Sequence, residues 1–378
     1  MMTKKSKPIT QLIIAIAITL PLFLHAQDSV KMTTRTFQLG FITPLGSNGL
    51  NSGNITNKFS INLLAGYAGG VDGVEFSGLG SVIRQDMNGA QFAGLGNIVL
   101  HDAKGAQFAG LLNMNGGKFK GFQTAGLANI NTDTTKGFQA AGLVNYAPGY
   151  KVSQLSGLAN VTTGHNKGFQ LAGLANIHTG RLKGTQVAGL FNYAGKLAGV
   201  QVGVFNCVDS LEKGVPIGFL SFVKNGYTAF EVGATETLYG VMSFKTGTRQ
   251  FYNILSVGGG SRNGYSLFAW GYGLGAFIPV GTKAGISIDG ICYQVNEGEW
   301  FTERFNLLNK LNLTGSWRLA NHLSVFAGIS WNVTVSDITD VYGDLVTPNI
   351  APWHVFDETY DGHVNVQMYP GFSAGIRL

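Results

Sequence analysis

Between residues 73 and 218 one short unit returns about every sixteen residues. It reads G-A-Q-F-A-G-L-G-N at 89–97 and recurs at 105–113, 121–129 and 137–145. Degenerate or complete copies then end at Asn160, Asn176, Asn192 and Asn206. The central glycines are Gly78, Gly94, Gly110, Gly126, Gly142, Gly157, Gly173, Gly189, Gly203 and Gly218, spaced 14 to 16 residues apart. A unit this short cannot bury a core alone, so each copy must pack against its neighbours.

Inside the unit the period is two, which means strand. In the copy at 121–130, Phe122, Thr124, Gly126, Ala128 and Ile130 share one face, while Gln123, Ala125, Leu127 and Asn129 share the other. Down the repeat the second face yields two columns. One is Gln91, Gln107, Gln123, Gln139, Gln154, Gln170 and Gln186; the other is Asn97, Asn113, Asn129, Asn145, Asn160, Asn176 and Asn192. Such amides suit either a wet lumen that binds a polar solute, such as a glycan, or a hydrogen-bonded ladder.

Two architectures satisfy this pattern. In a parallel β-solenoid each unit is one coil and identical residues stack about 4.8 Å apart. Lys104, Lys120, Lys136, Lys167 and Lys183 each precede a unit's first glycine, so stacking would set like charges in a column. In an antiparallel barrel they alternate between rims, and roughly ten strand residues per unit suffice to cross a membrane at a tilt. On charge and strand length the expectation is an all-β transmembrane antiparallel barrel. The alternative is a smaller barrel carrying a β-solenoid of about ten 16-residue repeats.

The last third reads as longer amphipathic strands with alternating connectors. Residues 281–282 and 320–321 are tight turns, whereas 296–304 and 337–367 are long. Trp300, Phe301, Trp317 and Trp331 lie toward strand ends, as in interfacial girdles. Two further strands precede the repeat, at 36–43 and 58–67. Two, ten and eight strands give a barrel of about 20. The domain reading is a signal peptide at 1–26, barrel strands at 27–73, repeats at 74–226 and barrel strands at 227–378.

Composition supports an exported β protein. Charged residues make up 12% of the chain and apolar ones 45%, with 55 glycines among 378 residues, which excludes both disorder and a collagen period. Lys4, Lys5 and Lys7, the apolar run 12–24 and Ala26 form a secretory signal with cleavage after Ala26. Its removal takes three lysines and no acid, lowering the net charge of +6 to +3, so nucleic acid is not an implied partner.

The run of G-x-Q-x-A-G-L-x-N units resembles the surface-repeat outer-membrane proteins of Gram-negative bacteria. So do N-L-L-A-G-Y at 62–67, G-V-P-I-G at 214–218 and the terminal G-F-S-A-G-I-R-L at 371–378. The resemblance implies outer-membrane placement, with membrane lipid as a partner, and no particular activity. The functional expectation is a passive or weakly selective pore or a surface-structural protein. The alternative is a surface-displayed solenoid module for adhesion or ligand binding, with small polar solutes or a surface partner as its target; an outer-membrane enzyme ranks third.

No catalytic constellation emerges. G-Y-G-L-G at 271–275 lies in a strand pattern without a following helix, and no G-x-S-x-G elbow occurs. The seven histidines lack metal-ligand spacing, so neither metal nor cofactor is expected. Cys207 and Cys292 sit in apolar strands, where a disulfide and two free thiols are both open. The one concentration of polar chemistry is the loop at 337–367. There Asp340, Asp344, Asp357, Glu358 and Asp361 accompany Trp353, His354 and His363 with no Lys or Arg. It reads as a solvated acidic loop or an outer ligand or cation site.

Overall fold

The structure is a computed structural model and describes residues 32–298, 300–301, 304–337, 348 and 350–378. The proposed signal segment, Asp340 and Asp344 fall outside the described residues.

The repeats are coils of a parallel β-solenoid. Each coil has a long strand such as Met87–Ala93, a corner at Gly94 and Leu95, and a short strand such as Gly96–Val99. The next coil repeats this as Ala103–Ala109 and Leu112–Asn115. Pairing is parallel and in register: Gln91 faces Gln107, Phe92 faces Phe108 and Asn97 faces Asn113. The two strands ahead of the repeat belong to the same stack, because Thr33–Ile42 pairs in parallel with Ile55–Ala68. About ten turns follow one another to Leu220–Val223. The expected barrel of about 20 antiparallel strands is therefore overturned, for these units are rungs and cross nothing.

Repulsion among the lysines is too small to forbid stacking. Lys104, Lys120, Lys136 and Lys151 do stack in register. All are exposed, and two unit charges about 4.8 Å apart in water repel by only about 1 kcal/mol. Tyr150 eases the crowding further, its ring lying 5.3 Å from the Lys136 ammonium and 5.6 Å from that of Lys167. Each coil meanwhile gains a full set of backbone hydrogen bonds and two buried amide pairings.

Glycine occupies two tight points of most coils, although Val152 takes the first of them in one. At Gly105, φ is +128° and a Cβ would lie 1.8 Å from the carbonyl oxygen of Gly89; at Gly110 it would lie 2.0 Å from that of Gly94. The coil interior is divided. Amides fill the end near the corner, and Met87, Val99, Ala103 and Phe119 pack the end near the turns. Leu182, Leu197, Val208 and Val223 continue that apolar end in the later coils.

From Tyr227 the chain changes to antiparallel pairing. Tyr227–Thr235, Gly240–Gly247, Tyr252–Arg262, Tyr265–Val280, Ala284–Glu297, Asn306–Ala320, Leu323–Asp337 and Val364–Arg377 pair in sequence. The last strand also pairs back with the first, Ser373 to Arg377 against Thr235 to Glu231. Polarity is inverted relative to a water-soluble sheet. Val232, Ile288, Leu313 and Ile329 are exposed, while Lys245, Asp289, Lys310 and Asn332 are buried. The two units meet where Ser221 N–H donates to Asn253 Oδ1 at 3.0 Å and Asn253 Nδ2 donates to the Gly218 carbonyl at 2.7 Å. Phe219 stacks on Tyr272 at 4.5 Å beside them.

Candidate functional site

The glutamines and asparagines singled out from sequence are brought together, but inside the solenoid. Gln91, Gln107, Gln123, Gln139, Gln154, Gln170 and Gln186 form one ladder, each Nε2 donating to the Oε1 of the coil before at 2.7–3.0 Å. Gln201 extends it by one rung. Asn97, Asn113, Asn129, Asn145, Asn160, Asn176 and Asn192 form the other, each Nδ2 donating to the Oδ1 of the coil after at 2.9–3.0 Å. The asparagine amides also reach a long-strand carbonyl, as Asn113 does to Thr124 at 2.7 Å. The two ladders thus run their amide dipoles in opposite directions. Gln170 keeps 1% of its surface and every other member of the two columns keeps none. They hold the stack together and are buried away from any solute, so of the two readings open in the sequence the hydrogen-bonded ladder is the one formed and the lumen lining is not.

Two buried titratable groups accompany these columns, Glu75 at the head of the glutamines and His178 two residues past Asn176 in a column of its own. Glu75 stands in register with Gln91 and is fully buried. Burial pushes its carboxyl above the usual carboxylate range, against hydrogen bonds from Ser81, Gln91 and Asn62 that favour the charged form. Glu75 thus ends the glutamine column as an acceptor, taking the Gln91 amide N–H at 3.0 Å. His178 lies in register with Thr162 and meets its hydroxyl at 2.6 Å. Burial pulls its pKa down to about 4, so the ring is neutral at physiological pH.

Accessible chemistry lies on the outer face of the long strands. Three residues before six of the ladder glutamines stand Lys104, Lys120, Lys136, Lys151, Lys167 and Lys183, in six consecutive coils and all exposed. Among the described residues no carboxylate lies within 4.0 Å of any of their ammonium groups. Next comes an unbroken aromatic run of Phe37, Phe59, Phe76, Phe92, Phe108, Phe122, Phe138 and Phe169, with successive centroids 4.9–6.3 Å apart. A groove of about 510 Å³ runs along it, lined by Leu63, Phe76, Phe92 and Phe108. At the corner, eight leucines from Leu79 to Leu190 are each 42–47% exposed. Sequence reasoning used the lysines as evidence against stacking and so missed this face. Its signal was present in the 16-residue spacing of Phe76, Phe92 and Phe108.

The acidic loop is only partly assembled. Phe356–Tyr360 folds against the last strand through Asp361 and Gly362, both at positive φ. His354 Nε2 lies 3.6 Å from Asp357, whose oxygens accept from Asn365 at 2.7 Å and Gln367 at 3.0 Å. Glu358 instead accepts from Tyr360, Trp353 donates to the Pro370 carbonyl, and His363 meets the Asp361 carbonyl. These side chains do not converge. Among the described residues no cluster of three or more His, Cys, Asp or Glu is placed to hold a metal.

The middle of the antiparallel unit's interior is filled, while a pocket of about 400 Å³ opens at one rim between Tyr227, Phe277, Lys283 and Arg377. Lys245 lies 2.7 Å from Asp289 and 2.9 Å from Glu231, Arg377 lies 2.5 Å from Glu231, and Lys310 lies 2.5 Å from Glu236. Between Glu231, Asp289, Tyr293 and Lys310 a cavity of only about 40 Å³ remains. That is room for about one water molecule. Cys207 and Cys292 are both free thiols. No protein-family model, curated protein or solved structure matches the chain.

Proposed function

We propose that this is an exported outer-membrane protein whose antiparallel unit is the anchor and whose solenoid is a repeat module for adhesion or ligand binding. The observation that carries the module is the in-register display of one face over many coils, lysines beside phenylalanines beside leucines. Extended regular surfaces of this kind are what repeat proteins use for binding. The inverted polarity of the antiparallel unit supports the anchor, because lipid favours apolar side chains outside and tolerates paired charges within. The last strand's pairing with the first also supports it, since hydrocarbon disfavours an unpaired strand edge. Among the described residues no helix is long and apolar enough to cross a membrane. The filled middle of the antiparallel unit argues against the pore reading.

A second reading concerns sidedness. Tyr227 and Leu378 leave the antiparallel unit at the rim of its tight turns, 281–283 and 321–322, and the solenoid attaches there. In outer-membrane barrels short turns face the periplasm, which favours a periplasm-facing module.

The test is deletion of residues 89–183, which removes six whole coils and rejoins the stack in register. The shortened chain is expected to stay in the outer-membrane fraction and remain heat-modifiable while losing the module's binding. Loss of membrane association would count against the anchor. Protease treatment of intact and permeabilised cells reads the side.

A further inference from the structure

We infer that the lysine-bearing face of the solenoid docks on an anionic lipid bilayer. The inference goes beyond the module reading by naming its partner. It rests on the anchor only in that the anchor brings the solenoid to a membrane.

The order of groups across the face points to lipid. On a strand, alternate residues point the same way and rise about 3.3 Å each. Counting from each of those six ladder glutamines, the lysine sits three residues before it. Outward positions that are mostly apolar follow one residue before and one after, as with Phe122 beyond Lys120 and Leu171 beyond Lys167, and the corner leucine comes last. From one edge to the corner the face therefore passes from ammonium groups to aromatic rings to exposed leucine, over about 25 Å. Headgroups, interface and acyl chains present the complementary sequence, with lysine stems snorkelling along apolar surface and their heads at the phosphates.

Charge complementarity favours the same partner. Six lysines recur in consecutive coils, their backbones about 4.8 Å apart, and among the described residues no carboxylate lies within 4.0 Å of their ammonium groups. Asp86 and Asp102 lie in the turns beyond them, and each accepts a backbone N–H, from Asp102 and Lys118 respectively. A discrete protein partner would need a matching acidic column. A bilayer containing anionic lipid needs none, because its headgroups are mobile and continuous. The apolar columns make no shape demand either, since leucine repeats at eight corners in succession and Val204 and Phe219 follow at the last two. Finally, the last coil already lies against the outer apolar side of the antiparallel unit through Phe219 and Tyr272, so the two apolar surfaces are continuous.

The experiment uses the full chain with Cys207 and Cys292 changed to serine, reconstituted in vesicles. An environment-sensitive thiol probe is placed by Leu127→Cys at the corner. A second variant carries it by Ile288→Cys on the outside of the antiparallel unit. Vesicles are phosphatidylcholine alone or with 30% phosphatidylglycerol, and quenching is read with lipid-borne nitroxides and with aqueous iodide. The expected result at Leu127 is nitroxide quenching and iodide protection in the anionic vesicles, both diminished in neutral vesicles and in high salt. Each lysine near an anionic surface contributes about fivefold. Lys120→Gln with Lys136→Gln should then lower the docked-to-undocked ratio by about tenfold or more. These lysines are exposed and, among the described residues, form no ion pair, and unchanged circular dichroism checks that the variant folds. Iodide access at Leu127 equal in anionic vesicles and in detergent overturns the proposal. So does iodide protection without nitroxide quenching that grows with protein concentration, which marks a second copy as the occupant. The probe at Ile288 reports the anchor separately: nitroxide quenching there with none at Leu127 rejects the docking while leaving the anchor intact.

Discussion

Both halves of this molecule bury polar groups and expose apolar ones, yet they satisfy the buried groups by different chemistry. The solenoid uses neutral amides repeated by translation, Gln on Gln and Asn on Asn. The antiparallel unit uses charges that never repeat, with Lys245 between Glu231 and Asp289 and Lys310 on Glu236. Symmetry explains the difference. A parallel in-register stack places most residues on their own kind, so a buried column must pair with itself, which an amide can do because it carries both donor and acceptor and an ionised group cannot. Strands that are not copies of one another can set unlike partners together, so opposite charges become usable. Glu75 is the acid that entered the amide column, and burial holds it toward its neutral form.

This contrast can be strained at several points. The largest effect is expected from Lys310→Met, which leaves Glu236 buried without its cation and should cost about 3–5 kcal/mol. Loss of heat-modifiable mobility, with solenoid circular dichroism retained, would be the readout. Gly121→Ala should come next, destabilising the stack by about 3 kcal/mol, since φ is +151° and the Cβ meets the Gly105 carbonyl oxygen at 1.8 Å. Gly290→Ala in the other unit meets nothing within 4 Å and should change urea stability by less than about 0.5 kcal/mol. Gln139→Leu opens one rung and strands the amide partners in the coils on either side, at a cost of about 1–3 kcal/mol by urea titration.

The smallest effect is a slope. Glu75 has a raised folded-state pKa, so its contribution is complete below the ordinary value of 4.5 and is lost as pH rises through the folded value. Glu75→Gln should abolish that loss, and the difference between variant and parent should grow with pH. His178 has the opposite sign: its folded-state pKa of about 4 makes its contribution complete above 6.5 and lost as pH falls through 4. A variant whose stability follows the parent's at every pH would remove Glu75 from the account.

The repeat, its strand character and the columns of Gln and Asn were all legible in the sequence, because a period of two and a period of sixteen are both written in residue types. Pairing direction was not, since a rung and a barrel strand share the same two-faced pattern. The stacked lysines tipped the choice the wrong way: repulsion between exposed charges is small beside two buried amide bonds per coil. The leading strands were drawn into the stack by their own register, as Gln38 and Asn62 bond at 3.2 Å, and no periodicity announces such a pair. The outer face went unread for a related reason. Phe108 and Phe122 occupy different positions in the unit and meet only because their coils are adjacent.

The central claim is that successive units stack in parallel register, and a distance measurement tests it most directly. With Cys207 and Cys292 changed to serine, nitroxide labels are placed by substitution to cysteine at Lys120 and Lys136, and in a second sample at Lys120 and Lys151. Parallel stacking predicts backbone separations of about 5 Å for the first pair and about 10 Å for the second. An antiparallel arrangement puts Lys120 and Lys136 at opposite ends of neighbouring strands, about 30 Å apart. Strong short-range coupling in the first sample, weakening in the second, is the predicted result. A long distance between Lys120 and Lys136 would contradict the solenoid.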